Sequence, residues 1–238
     1  MSKELTPEHG VTFNGLVEAR FLARLNRFSA LVTIGKRKTI AHIANSGRLR
    51  ELLIIGNRVW IRFAHRKGRK TSYDLVLVDS GGSLVSIDAQ LPNALVHHAW
   101  ITGSLPQFEG YTSLTREVNY GHSRLDMMLK GPMGLCYIET KSVTLVVDGV
   151  ALFPDAPTIR GRKHVASLKR ALMEGHRAAV IFVVQRVDAT SFSPNIVADP
   201  DFGLTLRDAV GAGVEVYSIM CNVSLEGVTI LQQMPVRL

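Results

Sequence analysis

The stretch SRLDMMLKGPMGLCYIETK, residues 123–141, reads as two apolar strands joined by a Gly-Pro turn, and each strand carries one acid. Asp126 lies in the first strand and Glu139 in the second, with Lys141 two positions later. Residues two apart on a strand share a face, so Glu139 and Lys141 point the same way. If the strands pair, Asp126 lies close to both. Because a buried carboxylate is costly unless something pairs with it, the hairpin predicts a site built around these acids.

The residue types of this hairpin suit a divalent cation and a phosphodiester. Carboxylates hold Mg²⁺ or Mn²⁺ through oxygen, and a bound metal polarises a phosphoryl oxygen and lowers the pKa of a bound water. A lysine orients that water or neutralises charge developing on phosphorus. We therefore predict catalytic roles for Asp126, Glu139, Lys141 and Gln185, and metal ligation by Glu117, Asp126 and Glu139. The alternative is that Glu-x-Lys forms a solvated ion pair on the sheet surface.

The order of elements around the hairpin predicts a mixed α/β domain. A helix follows Pro92, a second helix is expected over residues 110–120, and an amphipathic helix is expected over residues 163–174. A further helix is expected over residues 199–213. From the second helix onward, the order is helix, three strands, helix, strand, helix, strand, which resembles the core of PD-(D/E)xK nucleases. One mismatch is visible, since Leu125 stands where the nuclease signature has proline. The literal Pro154-Asp155 pair follows Glu-x-Lys and does not replace it.

Residues 11–78 contain several short β-prone runs separated by turn signals, which predicts a small β-barrel. A basic five-stranded barrel is typical of OB-type nucleic-acid binders. The polar, Gly-rich segment DSGGS at residues 79–83 indicates a boundary, so the predicted domains are 1–80 and 81–238. The aromatic side chains of the first domain either stack on bases or fill the barrel, and the sequence does not choose between the two roles for Phe13, Phe21, Phe28, Trp60 and Phe63.

The positive charge of the chain is confined to its first third. Residues 1–80 hold 15 Lys and Arg against 6 Asp and Glu, whereas residues 81–238 hold 13 against 14, and the net charge is +8. Such asymmetry indicates a domain that meets a polyanion, although a basic surface that serves solubility gives the same count. A membrane surface fits less well, because no basic amphipathic helix is evident.

Two basic clusters predict phosphate contacts. FPDAPTIRGRKH brings cationic side chains to the start of a helix, where the helix dipole already favours an anion. AHIANSGRLRELL places an arginine beside a tight Asn-Ser-Gly turn. The alternatives are a Pro-rich turn with solvated charges, and an Asn45–Gly47 pair that only supplies turn geometry. The predicted nucleic-acid-binding residues are Arg48, Arg160, Arg162 and Lys163.

The two cysteines, Cys136 and Cys221, lie in apolar runs without metal-ligand spacing, and we expect buried free thiols. The chain has no secretory signal pattern and no apolar run of about 18 residues. We therefore expect a cytoplasmic protein.

Five segments in this order, HIANSGR, SRLDMML, IETKSVTL, FPDAPTIRGRKH and FVVQR, resemble the sugar fermentation stimulation protein A family. The resemblance covers nearly the whole chain. It implies an N-terminal OB-like domain, a PD-(D/E)xK nuclease-like domain, non-specific DNA binding and regulation of maltose metabolism genes. It also implies a nuclease-like site at Glu117, Asp126, Glu139, Lys141 and Gln185.

The expected function is therefore non-specific binding of DNA through its phosphate backbone, with RNA as a second candidate partner. The expected cofactor is Mg²⁺ or Mn²⁺. An active Mg²⁺-dependent phosphodiesterase acting on DNA or RNA is the alternative from the enzyme class. A third interpretation makes the second domain a scaffold, with Glu139 and Lys141 as a surface pair.

Overall fold

The computed structural model describes residues 5–6, 10–64 and 71–238. Residues 1–4, 7–9 and 65–70 of the predicted basic domain lie outside this range. The chain begins with two short strands, β1 (Leu5–Thr6) and β2 (Gly10–Thr12). The strands of the barrel follow as β3 (Leu16–Asn26), β4 (Ser29–Ile34), β5 (Arg37–Ile43), β6 (Arg58–Phe63), β7 (Tyr73–Ser80) and β8 (Ser83–Ser86).

The barrel is a six-stranded sheet in the order β5-β4-β3-β6-β7-β8, which closes because β5 also pairs in parallel with β7. Its interior is filled by aliphatic side chains and Phe21. Phe13 and Trp60 are also buried, but Phe28 and Phe63 are 47% and 49% exposed. The predicted OB-like barrel is confirmed, and most of its aromatic residues serve packing.

The second domain alternates strands and helices. Its elements are α1 (Leu91–Ile101), a 3₁₀ turn (Pro106–Phe108), β9 (Ser113–Tyr120), β10 (Ser123–Gly131), β11 (Gly134–Val143), β12 (Leu145–Val147), β13 (Val150–Phe153), α2 (Ile159–Met173), β14 (Arg177–Val184), β15 (Ser191–Pro194), α3 (Pro200–Gly211), β16 (Glu215–Val223) and β17 (Gly227–Met234). The mixed α/β class predicted from the sequence is confirmed.

One eight-stranded sheet organises this domain, in the order β1-β2-β17-β16-β14-β11-β10-β9. Strands β11, β14 and β16 are parallel and central. Every β14 side chain after Arg177 is buried, as expected for a central strand covered on both faces. The core on one face of the sheet includes α1, and that on the other face includes α2 and α3. Strands β10 and β11 therefore lie between α1 on one face of the sheet and α2 and α3 on the other.

The helix predicted over residues 110–120 is wrong, because residues 113–120 form the edge strand β9. Its apolar residues Leu114, Val118 and Tyr120 occupy even positions, and a period of two favours a strand. The β9–β10 ladder is interrupted at Glu117, which has a φ of 56°, and at Asp126. This interruption adjoins the predicted site.

The two domains share one hydrophobic core. Trp60 and Leu77 of the barrel pack with Leu95 of α1 and Ile138 of β11 in a single cluster. Strand pairing also crosses the predicted division at residue 80. Strand β2 pairs with β17 in the large sheet, and β8 extends the barrel beyond that residue. The division itself stays a prediction.

A close approach of two backbones joins β2 to the large sheet. A Cβ added at Gly10 would lie 2.3 Å from the Val228 carbonyl oxygen, and Gly10 has a φ of 75°. Gly15 has a similar φ of 67°, but a Cβ there would meet nothing within 4 Å. We expect Gly10→Ala to lower the free energy of unfolding by about 2 kcal/mol and Gly15→Ala by about 1 kcal/mol, since only the first adds a clash to backbone strain. Urea unfolding of both variants measures this, and equal losses would contradict it.

In the described ranges, no helix has both the length and the apolar character needed to cross a membrane. Both cysteines are buried free thiols, as predicted.

Candidate metal and nucleic-acid site

A cleft of about 990 Å³ lies between the barrel and the second domain. One wall is formed by the β3–β4 turn and the turn at residues 45–47. The other is formed by β10, β11 and the start of α2. The structure brings five of the predicted site residues into its lining: Glu117, Asp126, Glu139, Lys141 and Arg160.

Glu139 is the buried centre of a charged cluster in this cleft. Its Oε1 atom contacts both the Lys141 ammonium and Nδ1 of His164, which α2 contributes. Burial acts to raise the pKa of Glu139, but the charge of Lys141 and the hydrogen bond from His164 outweigh it, so this pKa lies below its usual value. The Oε2 atom is buried and has no hydrogen-bond partner among the described residues. Glu139 is thus an ionised carboxylate with one oxygen left for a ligand.

Asp126 is held by hydrogen bonds from α1 and from β11. Asn93 on α1 donates from Nδ2 to Asp126 Oδ1 at 2.9 Å, and the Thr140 amide donates to Oδ2 at 2.7 Å. The Thr140 hydroxyl lies 2.9 Å from Asp126 Oδ2 and 2.8 Å from Asn93 Oδ1. These contacts fix the orientation of the carboxylate, which is the role that outer hydrogen bonds play around metal ligands.

The donor set suits a hard cation. Mg²⁺ is commonly bound through one or two carboxylates, with waters and substrate phosphates as the other ligands. Asp126 and Glu139 supply two carboxylates, and the unpartnered Oε2 of Glu139 fits that role. Across the described part of the chain, no three His, Cys, Asp or Glu side chains form a metal-holding group by themselves. Glu117 lines the cleft, but its side chain is 60% exposed and lies 3.4 Å from Arg124, and its role as a metal ligand stays a prediction.

Gln185 lies just beyond β14 and is fully buried. Its Nε2 donates to the Asp88 carbonyl at 3.1 Å and to Ser142 Oγ at 2.8 Å. Asp88 belongs to the connection between barrel and α1, so Gln185 ties that connection to the sheet. It does not reach the surface of the cleft, and its catalytic role stays a prediction.

The predicted phosphate-binding residues separate into different environments. Arg160 is exposed in the cleft on the first turn of α2, with Nε 3.4 Å from His164 Nε2. Arg162 instead pairs with Asp199 at 3.1 Å and Asp201 at 2.5 Å, which joins α2 to α3. Arg48 and Lys163 are exposed and are not among the residues that line the cleft. Their contacts with nucleic acid stay predictions.

Sequence reasoning missed several residues of the site. Asn93 and Thr140 hold Asp126, and His164 contacts Glu139. Arg27 and Arg116 line the cleft, and neither forms an ion pair with any residue that the structure describes. The motif FPDAPTIRGRKH contained His164 as a signal. The other four become recognisable only when strand register and domain packing are known.

Two family models match the chain. The model described as the N-terminal OB domain of the sugar fermentation stimulation protein matches residues 22–87, and the model of its RE domain matches residues 90–227. A sugar fermentation stimulation protein homologue of Desulforamulus reducens is 49% identical, over 94% of this chain and 93% of that protein. A homologue from Moorella thermoacetica is 45% identical over 94% and 97%.

A solved structure is similar over nearly its whole length. The sugar fermentation stimulation protein A of Pyrococcus furiosus, in complex with Ca²⁺, superposes with a TM-score of 0.90 at 31% sequence identity. The match covers 97% of this chain and 99% of that one. With the two matching family models and these relatives, the chain belongs to the sugar fermentation stimulation protein A family.

Proposed function

We propose that this chain is a non-specific DNA-binding protein whose cleft holds a divalent cation, Mg²⁺ or Mn²⁺, at Asp126 and Glu139. One observation carries the proposal. A single cleft is lined both by this pair of carboxylates with Lys141 and by arginines that have no carboxylate partner in the described residues. Phosphodiester groups are ligands for both.

The arginines support binding through phosphate. Arg27 lies on the barrel wall, and Arg116 and Arg160 lie on the opposite wall. The N-terminus of the 15-residue helix α2 opens into the same cleft, and its dipole adds to the attraction for an anion. Contacts to phosphate fix position on a nucleic acid but carry no sequence information, which is why we propose non-specific binding.

The relative from Pyrococcus furiosus supports a cation in this chain. Its structure is a complex with Ca²⁺, a hard cation that takes oxygen ligands as Mg²⁺ does. When bound, such a cation supplies polarisation of a phosphoryl oxygen and a more acidic water. His164 keeps the Glu139 carboxylate in place, and Asn93 and Thr140 do the same for Asp126.

Hydrolysis of the phosphodiester is the second candidate function, favoured by the intact and buried Glu139–Lys141 pair. Lys141 would place its positive charge beside the phosphate, where negative charge develops in the transition state. Arg160 would bind a neighbouring phosphate oxygen. Regulation of maltose metabolism, which the family resemblance implies, stays an expectation that no residue of the site tests.

Calorimetric titration with Mn²⁺ tests the cation site. We expect the wild type to bind Mn²⁺, and Asn93→Ala to weaken that binding by about 10- to 100-fold, the usual effect of removing a side chain that orients a ligand. Asp208→Asn is the matched control and should bind Mn²⁺ as the wild type does. Asp208 is an exposed carboxylate on α3 that pairs with Lys169 of α2. A wild type that takes no Mn²⁺, or an Asn93→Ala variant that binds as the wild type does, would contradict the site.

A further inference from the structure

We propose that Phe28 is a stacking surface for an unpaired nucleobase, so that the cleft takes single-stranded nucleic acid. This inference rests on the proposed nucleic-acid-binding function and names its substrate class. Phe28 lines the cleft and is 47% exposed, whereas Phe13, Phe21 and Trp60 are buried.

The backbone around Phe28 is held in one conformation. Arg27 and Phe28 form the two-residue turn between β3 and β4. The Phe28 amide donates to Asn26 Oδ1 at 2.9 Å, and the Phe28 carbonyl accepts from the Ile43 amide at 2.9 Å. Arg24 donates from Nη2 to the Arg27 carbonyl at 2.8 Å. A ring presented on a fixed turn loses little conformational freedom when a ligand binds, which favours affinity.

This turn is also tied to the opposite wall of the cleft. Arg24 donates to the Gly47 carbonyl at 2.7 Å, which joins the turn to the neighbouring one at residues 45–47. The Leu49 amide then donates to Asp155 Oδ2 at 3.1 Å, across the boundary between barrel and second domain. Asp155 lies four residues before the first residue of α2. Phe28 therefore has a defined position relative to the charged residues at the start of that helix.

The surroundings of the ring suit a nucleotide. The Arg27 guanidinium carbon lies over the Phe28 ring, 6.0 Å from its centroid, so a positive charge lies next to the aromatic side chain. Single-stranded nucleic acids are bound by this combination of aromatic side chains for the bases and a basic groove for the backbone. In an intact duplex, neighbouring base pairs cover the faces of each base. An unpaired base has an uncovered face for Phe28.

The test measures binding of labelled oligonucleotides by fluorescence anisotropy, with EDTA present so that the strands stay intact. The probes are an oligo-dT, an oligo-rU and a blunt DNA duplex of equal length. We expect Phe28→Ala to weaken binding of the single strands by between about 5-fold and about 150-fold, the range for base–aromatic stacking. Duplex binding should change less than about 2-fold, and Phe28→Trp should retain single-strand affinity.

Phe63→Ala is the matched control, because Phe63 is equally exposed but packs edge-to-face on Tyr73, with ring centroids 5.5 Å apart. A single strand containing 2-aminopurine gives a direct readout, since stacking on Phe28 quenches its fluorescence. Equal single-strand affinity of Phe28→Ala and wild type would overturn the stacking role alone. A wild type that binds none of the three probes would overturn the proposed function with it.

Discussion

Asp126→Asn is expected to lower the rate of Mg²⁺- or Mn²⁺-dependent DNA cleavage by at least about 100-fold, because it removes one of the two carboxylates proposed to hold the cation. The substitution keeps the size of the side chain and changes mainly its charge. Lys141→Met should lower cleavage to a similar extent for a different reason. It removes the positive charge proposed to lie beside the phosphate but leaves both carboxylates, so Mn²⁺ binding measured by calorimetry should persist.

Plasmid, single-stranded DNA and RNA are the substrates for this comparison, each with metal and with EDTA. Asp208→Asn is again the control, and it should cleave as the wild type does. Cleavage that is unaffected by Asp126→Asn on every substrate would exclude these residues as the catalytic site. DNA binding without cleavage by the wild type would leave the binding function in place and remove the enzymatic one.

The second large effect concerns salt. Three arginines without a carboxylate partner among the described residues line the cleft, Arg27, Arg116 and Arg160. If each neutralises one phosphate, the logarithm of DNA affinity should fall with a slope of about −2.7 against the logarithm of salt concentration. Raising monovalent salt from about 50 mM to about 200 mM then weakens binding about 40-fold.

The double variant Arg116→Gln with Arg160→Gln should reduce that slope by about 2, since each arginine accounts for about one phosphate. Arg207→Gln is the control, because Arg207 is exposed on α3 outside this cleft. Affinity that hardly changes with salt in the wild type would show that phosphate contacts do not dominate binding. An unchanged slope in the double variant would place those contacts elsewhere on the protein.

Local patterns in the sequence were sufficient for the hairpin at residues 123–141 and for the class of fold. Its two apolar runs and its Gly-Pro turn lie within a single stretch of chain. The stripe of buried residues in helix α2 was also recognised, because it repeats over a few turns. Its start was placed at residue 163, four residues after Ile159, because the Thr158 cap, which accepts from the Gly161 amide at 3.0 Å, was not recognised.

Contacts between distant segments were not predictable in this way. Asn93 is 33 residues from Asp126, and Leu49 is 106 residues from Asp155, yet both pairs shape the cleft. The edge strand β9 was mistaken for a helix because Arg116 interrupts the apolar positions Leu114, Val118 and Tyr120, and this hides the period of two. Pairing of β2 with β17 joins opposite ends of the described chain, which no local signal marks.

The core that the barrel shares with α1 and β11 determines how the gap between the domains behaves. Swinging the barrel outward would bring Trp60 and Leu77 into water, and burying such side chains contributes roughly 1.5–3 kcal/mol each. The shared core therefore fixes the width of the cleft when the chain folds. A ligand of the cleft has to fit this width without a closing motion of the protein.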